Sequence, residues 1–272
     1  MEPHRPIVSV IVPVFNGEAF LAAAVESILR QTRPPDEVII VDDGSSDGTA
    51  AVAARLPGDI RYVYQANAGP PAARNTGLRV ATGDVIGMLD ADDLWPAQRL
   101  ASLLSQLAAD SSLDVVLGRL QLIGSEDGTA RRALEPLADP VVGLFLGSAL
   151  LRRSAFDRVG LFDPTLRLGD DMDWFLRAME QRVSMTAVES VTLLYRLHAS
   201  NITHDRDAVQ RDIATVLRKS LTRRRRAGGG DIAPLPAIPG CAAIDPVLRR
   251  TIALHRDQWA RSALARTQAR RE

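Results

Sequence analysis

The sequence predicts an α/β protein built on a doubly wound sheet. Four apolar runs rich in β-branched residues lie within the first 110 residues, at positions 7–14, 37–41, 60–64 and 85–89. Helical patterns alternate with these runs, which is typical of a sheet whose strands are parallel and whose two faces are covered by helices. Runs that are apolar throughout indicate strands buried on both faces.

The intervening helices are predicted from apolar residues that recur three or four positions apart. The first covers residues 20–29 and ends before Pro34 and Pro35, because proline cannot continue a helix. The second covers roughly residues 48–55, with Asp47 as its N-cap. A third follows a glycine- and proline-led loop that begins at Asn67, and a fourth has the stripe Leu100, Leu103, Leu104 and Leu107.

The second half of the chain is less regular. It predicts strands at 113–117 and 145–151, a hairpin around 126–128, a short helix at 152–159, a helix opening at Gly169 and one or two strands within 183–195. From about residue 208 the composition shifts to arginine, alanine, glycine and proline, with a glycine hinge at 228–230 and a further helix near 245–268. We therefore expect a domain at 1–207, with halves at 1–118 and 119–207, and an arginine-rich helical extension at 208–272.

Composition excludes several classes of protein. The 272 residues carry no formal net charge, so nothing overall indicates nucleic-acid binding. A single cysteine, Cys241, excludes an internal disulfide framework and a multi-cysteine zinc site. The longest apolar run, residues 141–151, is too short to span a bilayer, and no signal peptide is evident. We expect a cytoplasmic protein without a transmembrane segment. The basic run at 218–226 could contact anionic lipid, although a solvated face is the simpler interpretation.

Acidic residues cluster where predicted strands or helices begin and end. Asp42 and Asp43 follow the second strand, the cluster Asp90, Asp92 and Asp93 follows the fourth, and Asp170 and Asp171 open a later helix. Ligands bind at the carboxyl ends of strands in open α/β sheets. Three carboxylates within four residues would repel one another, so a bound cation is their natural partner, and oxygen ligands suit Mg²⁺ or Mn²⁺ together with phosphate. The alternative is an Asp-rich turn that caps the next helix.

Four motifs occur in a fixed order along the chain. Pro-x-Phe-Asn-Gly-Glu ends the first strand, and Val-Asp-Asp-Gly-Ser, Ala-Arg-Asn-x-Gly and Leu-Asp-Ala-Asp-Asp follow it. This order resembles family 2 glycosyltransferases, and the resemblance covers residues 7 to about 204. It implies a GT-A-like, Rossmann-related doubly wound mixed sheet with a helical C-terminal tail. It also implies inverting transfer of a sugar from a nucleoside-diphosphate sugar, expected to be a UDP-sugar, to an acceptor hydroxyl with the help of Mn²⁺ or Mg²⁺.

The resemblance assigns a nucleotide-sugar site to the first half of the chain. Asp43 would accept a hydrogen bond from the uracil-type base, and Pro13 and Phe15 would line the base pocket with Glu18 nearby. Local turn formation with Gly44 is the alternative for Asp43. Arginine suits phosphate or an acidic loop. The remaining residues of this site are those that order the pocket and those of the Asp-x-Asp motif: Arg74, Asn75, Asp90, Ala91 and Asp92.

The resemblance also assigns the metal and the base. Asp90 would orient the ribose, and Asp92 would bind the metal that bridges the diphosphate, with His198 of the Tyr-Arg-x-His motif close to it. Asp171 would be the general base, which must lie within hydrogen-bonding distance of the acceptor hydroxyl. Helix capping is the alternative for Asp170 and Asp171, and Asp173 could be a first-turn acid.

Two other classes of protein remain compatible with the sequence. A sugar-1-phosphate nucleotidyltransferase would use a similar sheet, but it would carry a glycine-rich basic phosphate loop that residues 12–17 lack. A non-catalytic nucleotide-sugar binding module would keep Asp43, Asp90 and Asp92, and the presence of Asp171 in its motif argues against it. A glycan, a lipid-linked glycan, a small molecule or a peptide could be the acceptor, and the tail could mediate dimerisation.

Overall fold

The computed structural model describes residues 5–124, 136, 139–198, 206–228 and 234–239. Within these ranges the strands are β1 Val8–Val14, β2 Glu37–Asp42, β3 Ile60–Tyr64, β4 Val85–Met88, β5 Val115–Gly124, β6 Val141–Val142, β7 Ala149–Arg152 and β8 Met185–Leu197. The helices are α1 Leu21–Leu29, α2 Thr49–Ala53, α3 Pro70–Val80, α4 Arg99–Ala109, α5 Arg153–Val159, α6 Asp170–Glu180 and α7 Arg206–Ala227, and a 3-10 turn covers Leu146–Ser148.

The strands form one mixed sheet in the order β3-β2-β1-β4-β7-β5-β6, and β8 pairs with β5. Strands β1 to β4 are parallel to one another, as the alternation of strands and helices predicts. Strand β7 runs antiparallel to both β4 and β5, which makes the sheet mixed. The predicted fold class is therefore confirmed, and the carboxyl ends of β2, β1 and β4 lie side by side at one edge.

Both faces of the sheet are covered by helices, so β1 is buried along its whole length. Ile11 packs on the face that α3, α5, α6 and α7 cover. Val10 and Val12 point to the opposite face, against α1 and α4. Because successive side chains of a strand alternate between faces, an unbroken apolar run is what a strand between two apolar layers requires.

Several element boundaries differ from the sequence-based expectations. Strand β5 extends to Gly124 because residues 120, 122 and 123 are buried as well. The strand expected at 145–151 begins only at Ala149, since a 3-10 turn closed by the Ser148 N–H to the Phe145 carbonyl precedes it. The region 183–195 holds one strand, β8. The predicted hairpin at 126–128, most of the glycine hinge and the helix near 245–268 lie outside the described residues.

The start of α2 is a further difference. Gly48 is the N-cap of this helix, whereas we expected Asp47 in that position. Asp47 lies one residue earlier, and it nevertheless supplies the capping hydrogen bond, because its Oδ1 accepts the Thr49 N–H at 3.0 Å. Aspartate at a helix start satisfies an N–H that has no partner within the helix.

Arginine side chains bind the carbonyls at the ends of several helices. At the end of β7, Arg152 donates to the Leu107 carbonyl of α4 at 2.7 Å, and Arg153 donates to the Ala81 carbonyl after α3 at 2.8 Å. Consecutive residues of a strand point to opposite faces, so this pair anchors a helix on each side of the sheet. Cationic side chains at a helix C-terminus also interact favourably with its dipole.

The helix of the arginine-rich extension packs against the domain. Helix α7 begins at Arg206, so the compositional boundary after residue 207 falls within it. Ile213 and Val216 are buried in the core layer that contains α6. Arg223 binds Glu180 of α6 at 2.5 Å, and Lys219 binds Asp163 at 2.6 Å. None of the described helices is long and apolar enough to cross a bilayer.

Candidate active site

Three loops meet where β2, β1 and β4 end. These strands are parallel neighbours, so the segments that begin at Phe15, Asp43 and Leu89 leave the sheet along the same edge. This is the edge at which open α/β sheets bind ligands. The structure therefore brings together the first, second and fourth of the four motifs, and α3, which carries the third motif, Ala-Arg-Asn-x-Gly, packs against β1 and β2.

The loops after β1 and β2 are joined to each other by hydrogen bonds. Asn16 N donates to Ser45 Oγ at 2.9 Å, and Ser46 N donates to Asn16 Oδ1 at 2.8 Å. The Glu18 carboxylate accepts the Gly48 N–H at 2.9 Å. The resemblance placed Glu18 beside the base pocket. In the structure its carboxylate braces the loop after β2, because an N–H at the start of α2 needs an acceptor.

Asp43 holds the start of α3. Its side chain is buried, and Oδ1 accepts hydrogen bonds from Gln65 Nε2 at 2.7 Å and Ala68 N at 2.9 Å. Oδ2 accepts the Gly69 N–H at 2.8 Å, and Gly69 has a φ of 89°, a conformation that favours glycine. A carboxylate has about four acceptor sites, so one remains for an N–H of a ligand.

Phe15 and Pro13 differ in what they offer a ligand. Phe15 follows β1 and its side chain is 53% exposed, so its ring presents apolar surface at the edge of the sheet where β1 ends. Pro13 is buried within β1, paired in register with Val41 of β2. Pro13 therefore supports the strand, and Phe15 is the residue of the pair whose surface can stack on a base.

The carboxylates of the Asp-x-Asp motif point to different partners. Asp90 Oδ1 accepts a hydrogen bond from Arg74 Nη2 at 2.6 Å, and its side chain is 47% exposed. Asp92 Oδ2 lies 3.1 Å from His198 Nε2. Ala91 between them is buried. The two acids thus connect β4 to α3 on one side and to the end of β8 on the other.

The end of β8 is held tightly against this loop. Arg196 N donates to Asp93 Oδ1 at 3.0 Å, and Arg196 Nε donates to the Asp92 carbonyl at 2.5 Å. The His198 ring stacks on Phe20 with a centroid distance of 4.2 Å. Burial, together with the charges of Asp92 and Asp90, raises the pKa of Asp93 well above its usual range. Asp93 therefore braces the loop after β4 against the end of β8.

Arg74 forms a bridge between two acidic sites. Its guanidinium is buried and donates Nη2 to Asp90 and Nη1 to Asp170, each at 2.6 Å. Burial opposes the charge, but the carboxylates of Asp170, Asp90 and Asp171 outweigh it and raise the pKa of Arg74. The resemblance placed Arg74 in the nucleotide pocket. In the structure its Nη1 and Nη2 bind carboxylates, and its buried Nε has no hydrogen-bond partner among the described residues.

Asn75 lies next to Arg74 on α3. The resemblance implies that it orders the nucleotide pocket, and in the structure its side chain is buried and both of its polar atoms bind the backbone of Phe162. Nδ2 donates to the Phe162 carbonyl at 2.9 Å, and Oδ1 accepts the Phe162 N–H at 2.9 Å. A buried amide seeks full pairing, and this pairing joins α3 to the segment that precedes α6.

Asp170 and Asp171 begin α6. Gly169, with a φ of 73°, is the N-cap of the helix, so neither acid is the N-cap itself. Asp170 is buried against Arg74, whereas Asp171 is partly exposed. Burial raises the pKa of Asp171 to about 7; the adjacent Asp170 carboxylate adds to the rise and Arg74 opposes it. A carboxyl that titrates near neutrality is suited to proton transfer.

The third acid of α6 has a structural role. Asp173 is buried and binds Arg177 at 2.8 Å and Arg223 of α7 at 3.3 Å. A buried carboxylate needs such partners because desolvation disfavours its charge. This ion pair also connects the helix that carries Asp171 to the helix of the extension.

The side-chain donors of the site fit a divalent cation whose coordination shell is completed by a ligand. The described residues contain no group of three or more His, Cys, Asp or Glu side chains arranged around one point. Asp92 and His198 supply an oxygen and a nitrogen 3.1 Å apart. Mg²⁺ and similar ions are commonly held by one or two side chains plus water and phosphate oxygens. The site is therefore compatible with a cation that arrives with a diphosphate.

Two residues of the site were not predicted. Gln65 binds Asp43, and Arg196 binds the loop of Asp92 and Asp93. Gln65 follows β3 at the same edge of the sheet, and Arg196 is part of the Tyr-Arg-x-His motif. Position at a strand end is therefore the signal that could have identified Gln65.

A mixed α/β sheet with these acidic loops defines the GT-A class of glycosyltransferases. Residues 9–170 match glycosyl transferase family 2, and the chain belongs to this family of transferases. It is 31% identical over 218 residues to the uncharacterized glycosyltransferase EpsJ of Bacillus subtilis, covering 73% of this chain and 63% of EpsJ. The chain thus spans less than two thirds of that relative.

Two solved structures share the fold. The mannosyltransferase PcManGT from Pyrobaculum calidifontis, in complex with GDP-Man and Mn²⁺, superposes with a TM-score of 0.64 at 23% identity and covers 98% of this chain and 76% of its own. TarS 1–349 of S. aureus in complex with UDP-GlcNAc gives 0.60 at 19% identity, with 80% and 66% covered. These likenesses agree with the predicted fold.

Proposed function

We propose that the protein transfers a sugar from a nucleoside-diphosphate sugar to an acceptor hydroxyl with inversion at the anomeric carbon. The observation that carries this proposal is the chain of contacts from Asp90 through Arg74 to Asp170, which is adjacent to Asp171. It connects an acidic strand-end site suited to a diphosphate and its metal with a carboxyl whose pKa lies near 7. One site thus has the components for both halves of a glycosyl transfer.

The donor is proposed to be a UDP-sugar. The Asp43 carboxylate keeps an acceptor position, and the exposed ring of Phe15 follows the neighbouring strand at the same edge of the sheet, which suits an imide N–H and a flat base. Support also comes from TarS, which binds UDP-GlcNAc. PcManGT binds GDP-Man, so guanine nucleotides are the natural comparison in a binding experiment.

Asp92 and His198, with Asp90 beside them, would hold Mn²⁺ or Mg²⁺. The cation would supply positive charge to the diphosphate as it departs. The protein's own contribution here is geometric: Arg196 holds the backbone of Asp92, and Phe20 holds the ring of His198. Locked side chains of this kind keep a binding site in its productive geometry.

Asp171 is proposed to be the general base. The acceptor oxygen forms a bond to the anomeric carbon while the bond from that carbon to the phosphate oxygen breaks. The acceptor proton passes to the Asp171 carboxylate, and the nucleoside diphosphate leaves. Because the nucleophile attacks on the face opposite the leaving group, a single displacement inverts the anomeric configuration. The acceptor is proposed only as a hydroxyl of a glycan, a lipid-linked glycan, a small molecule or a peptide.

The basic run at 218–226 could bring the protein to an anionic membrane surface. Lys219 and Arg223 face the domain and are bound to Asp163 and Glu180. Arg218, Leu221 and Arg225 are exposed along the outer side of α7. Basic residues interleaved with an apolar one are typical of helices that lie on anionic bilayers.

The test begins with thermal unfolding of the protein against UDP, GDP and their sugars, with and without Mn²⁺. A ligand that binds the folded state alone raises the unfolding temperature, and we expect a Mn²⁺-dependent rise with UDP-sugars. Transfer to water or to added acceptors is then measured for Asp171→Asn, with the exposed Asp157→Asn of α5 as the matched control. We expect Asp171→Asn to bind donor normally and to lose about 10²–10⁴-fold in rate. Unchanged transfer by Asp171→Asn would refute the assignment of the base.

A further inference from the structure

Two consecutive residues of α3 connect the nucleotide side of the molecule to the segment that carries Asp171. Arg74 reaches the Asp170 carboxylate at 2.6 Å. Asn75 makes two hydrogen bonds to the backbone of Phe162, both of 2.9 Å. The two contacts anchor the start of α6 and the segment before it. The same short stretch of helix therefore determines where Asp171 lies.

The other end of this connection is the proposed base-recognition residue. Asp43 accepts the N–H groups of Ala68 and Gly69, which directly precede α3. Arg74 lies five residues after Gly69, within the same helix. A hydrogen-bonded helix is stiff over so short a distance. Displacement of the Asp43 loop is therefore passed to Arg74 and on to Asp170.

Arg74 is also shared between the two acidic sites. Its guanidinium offers one nitrogen to Asp90 and another to Asp170. Arginine presents a planar fork of donors, whereas lysine carries a compact charge that binds one partner at a time. A donor that draws the partly exposed Asp90 toward itself would leave Asp170 as the main partner of Arg74.

We infer that Arg74 is a positioning residue that places Asp171 by holding Asp170, and that Asn75 assists it by holding Phe162, so that donor binding and the placement of the base are coupled through α3. This inference rests on the function proposed above. It differs from a role in phosphate binding, which would require donors of Arg74 that face the ligand. It also differs from a purely structural ion pair, which would alter stability without changing the catalytic step selectively.

The charges that face Asp171 provide a distinguishing readout. They are Asp170 on α6, Arg74 on α3 and Asp90 after β4; Asp170 and Asp90 raise the pKa of Asp171, and Arg74 lowers it. Replacement of Arg74 by a neutral residue would therefore move the acidic limb of the pH profile for kcat to higher pH. Replacement of Asp170 by asparagine would move that limb to lower pH.

The experiment compares Arg74→Met, Arg74→Lys, Asp170→Asn and, as the control, Arg79→Met, an exposed arginine on the same helix. Donor affinity is measured by calorimetry with UDP and Mn²⁺, turnover by sugar transfer, and mobility by hydrogen exchange of peptides that cover residues 160–175. We expect Arg74→Met and Asp170→Asn to lower kcat about 100-fold, since a small misplacement of a reacting group has effects of that size. Affinity for UDP should change less than about threefold, which is smaller than the tenfold change that corresponds to about 1.4 kcal/mol.

Hydrogen exchange separates this inference from the proposed function. Faster exchange in 160–175 for Arg74→Met, partly restored by Arg74→Lys and absent in Arg79→Met, supports the positioning role even if no sugar transfer is found for the wild type. In that case the proposed function fails, and the part of the inference that stands is that Arg74 holds the start of α6 and the segment before it. If Arg74→Met does not fold, Asp170→Asn, which preserves shape, decides the result. Unchanged exchange and unchanged kcat in Asp170→Asn would overturn the inference, as would a parallel loss of UDP affinity in both variants.

Discussion

The two halves of the site are built from contacts of very different range. The proposed nucleotide side consists of the loops after β1 and β2. Its hydrogen-bonded partners Asn16 and Ser45 are 29 residues apart, and Gly17 and Thr49 are 32 apart. On the side of the base, Arg74 and Asp170 are 96 residues apart, and at the junction of the two halves Asp92 and His198 are 106 apart. The nucleotide side therefore assembles from two adjacent β-α units, whereas the base is placed only when distant parts of the chain have docked.

This difference has a physical consequence for how each half tolerates change. Contacts of short range form with a modest loss of chain entropy, and those that close long loops depend on the packing of the whole core. We expect substitutions on the nucleotide side to act locally on binding. Substitutions in the long-range contacts should change the turnover rate more than they change binding.

The largest expected effect concerns Asp92 and His198, where the two halves meet. Asp92→Ala should weaken Mn²⁺-dependent UDP binding by at least about 100-fold, and His198→Ala by about tenfold, the lower end of the range for groups that tune a metal site. Calorimetric titrations with and without Mn²⁺ measure both, with Asp157→Asn as the control. Retention of the full Mn²⁺ effect in Asp92→Ala would remove this residue from the metal site.

The next effect is the pH dependence that Asp171 confers. Its pKa is about 7 in the folded protein against a usual value of 3.8, and the base must be ionised to accept a proton. The rate should therefore rise about tenfold per pH unit below pH 7 and then level off. A rate that is flat between pH 5 and 7 would contradict the assignment of the base.

The same pKa predicts the sign of a stability change. Between about pH 4 and 7 the folded state keeps the Asp171 proton that the unfolded chain has lost, so this group stabilises the fold less as the pH rises. Asp171→Asn removes that dependence. The difference in unfolding temperature between Asp171→Asn and wild type should shift in favour of the variant from pH 5 to pH 8, and a constant difference would indicate an unperturbed carboxyl.

The smallest expected effect sharpens the description of the nucleotide side. Glu18→Gln keeps an acceptor for the Gly48 N–H, so stability should change by less than about 0.5 kcal/mol. Glu18→Ala removes that acceptor and should cost about 1 kcal/mol. Denaturant unfolding measures both values. UDP affinity should change less than about threefold in Glu18→Gln, and a tenfold loss would show that Glu18 contacts the nucleotide instead of bracing the loop.

Much of the fold followed from local patterns. Apolar runs located β1 to β4 to within one residue at each end, because a strand buried on both faces leaves an unbroken hydrophobic signal. The 3-10 turn before β7 escaped prediction, since Leu146 is as apolar as a strand residue and the turn depends on the hydrogen bonds of Ser148. Periodicity indicates burial and does not distinguish short buried elements of different kinds.

The candidate site, like the fold, has a part that the sequence predicts and a part that it does not. The sequence by itself determined that Phe15, Asp43 and Asp90 lie at one edge, because they follow parallel strands that pair with their neighbours. It also placed Asp171 at the start of a helix, where glycine precedes it. These positions depend on the local chain and on general rules of α/β topology.

The tertiary structure alone decided which side chains face one another. Arg74 meets Asp170 and Asp90, Asn75 meets Phe162, and Glu18 meets Gly48. Sequence patterns record which face of an element is buried, but the partner of a buried polar group depends on how distant elements pack. The long-range contacts that place Asp171 were therefore invisible in the sequence and became apparent only in the folded chain.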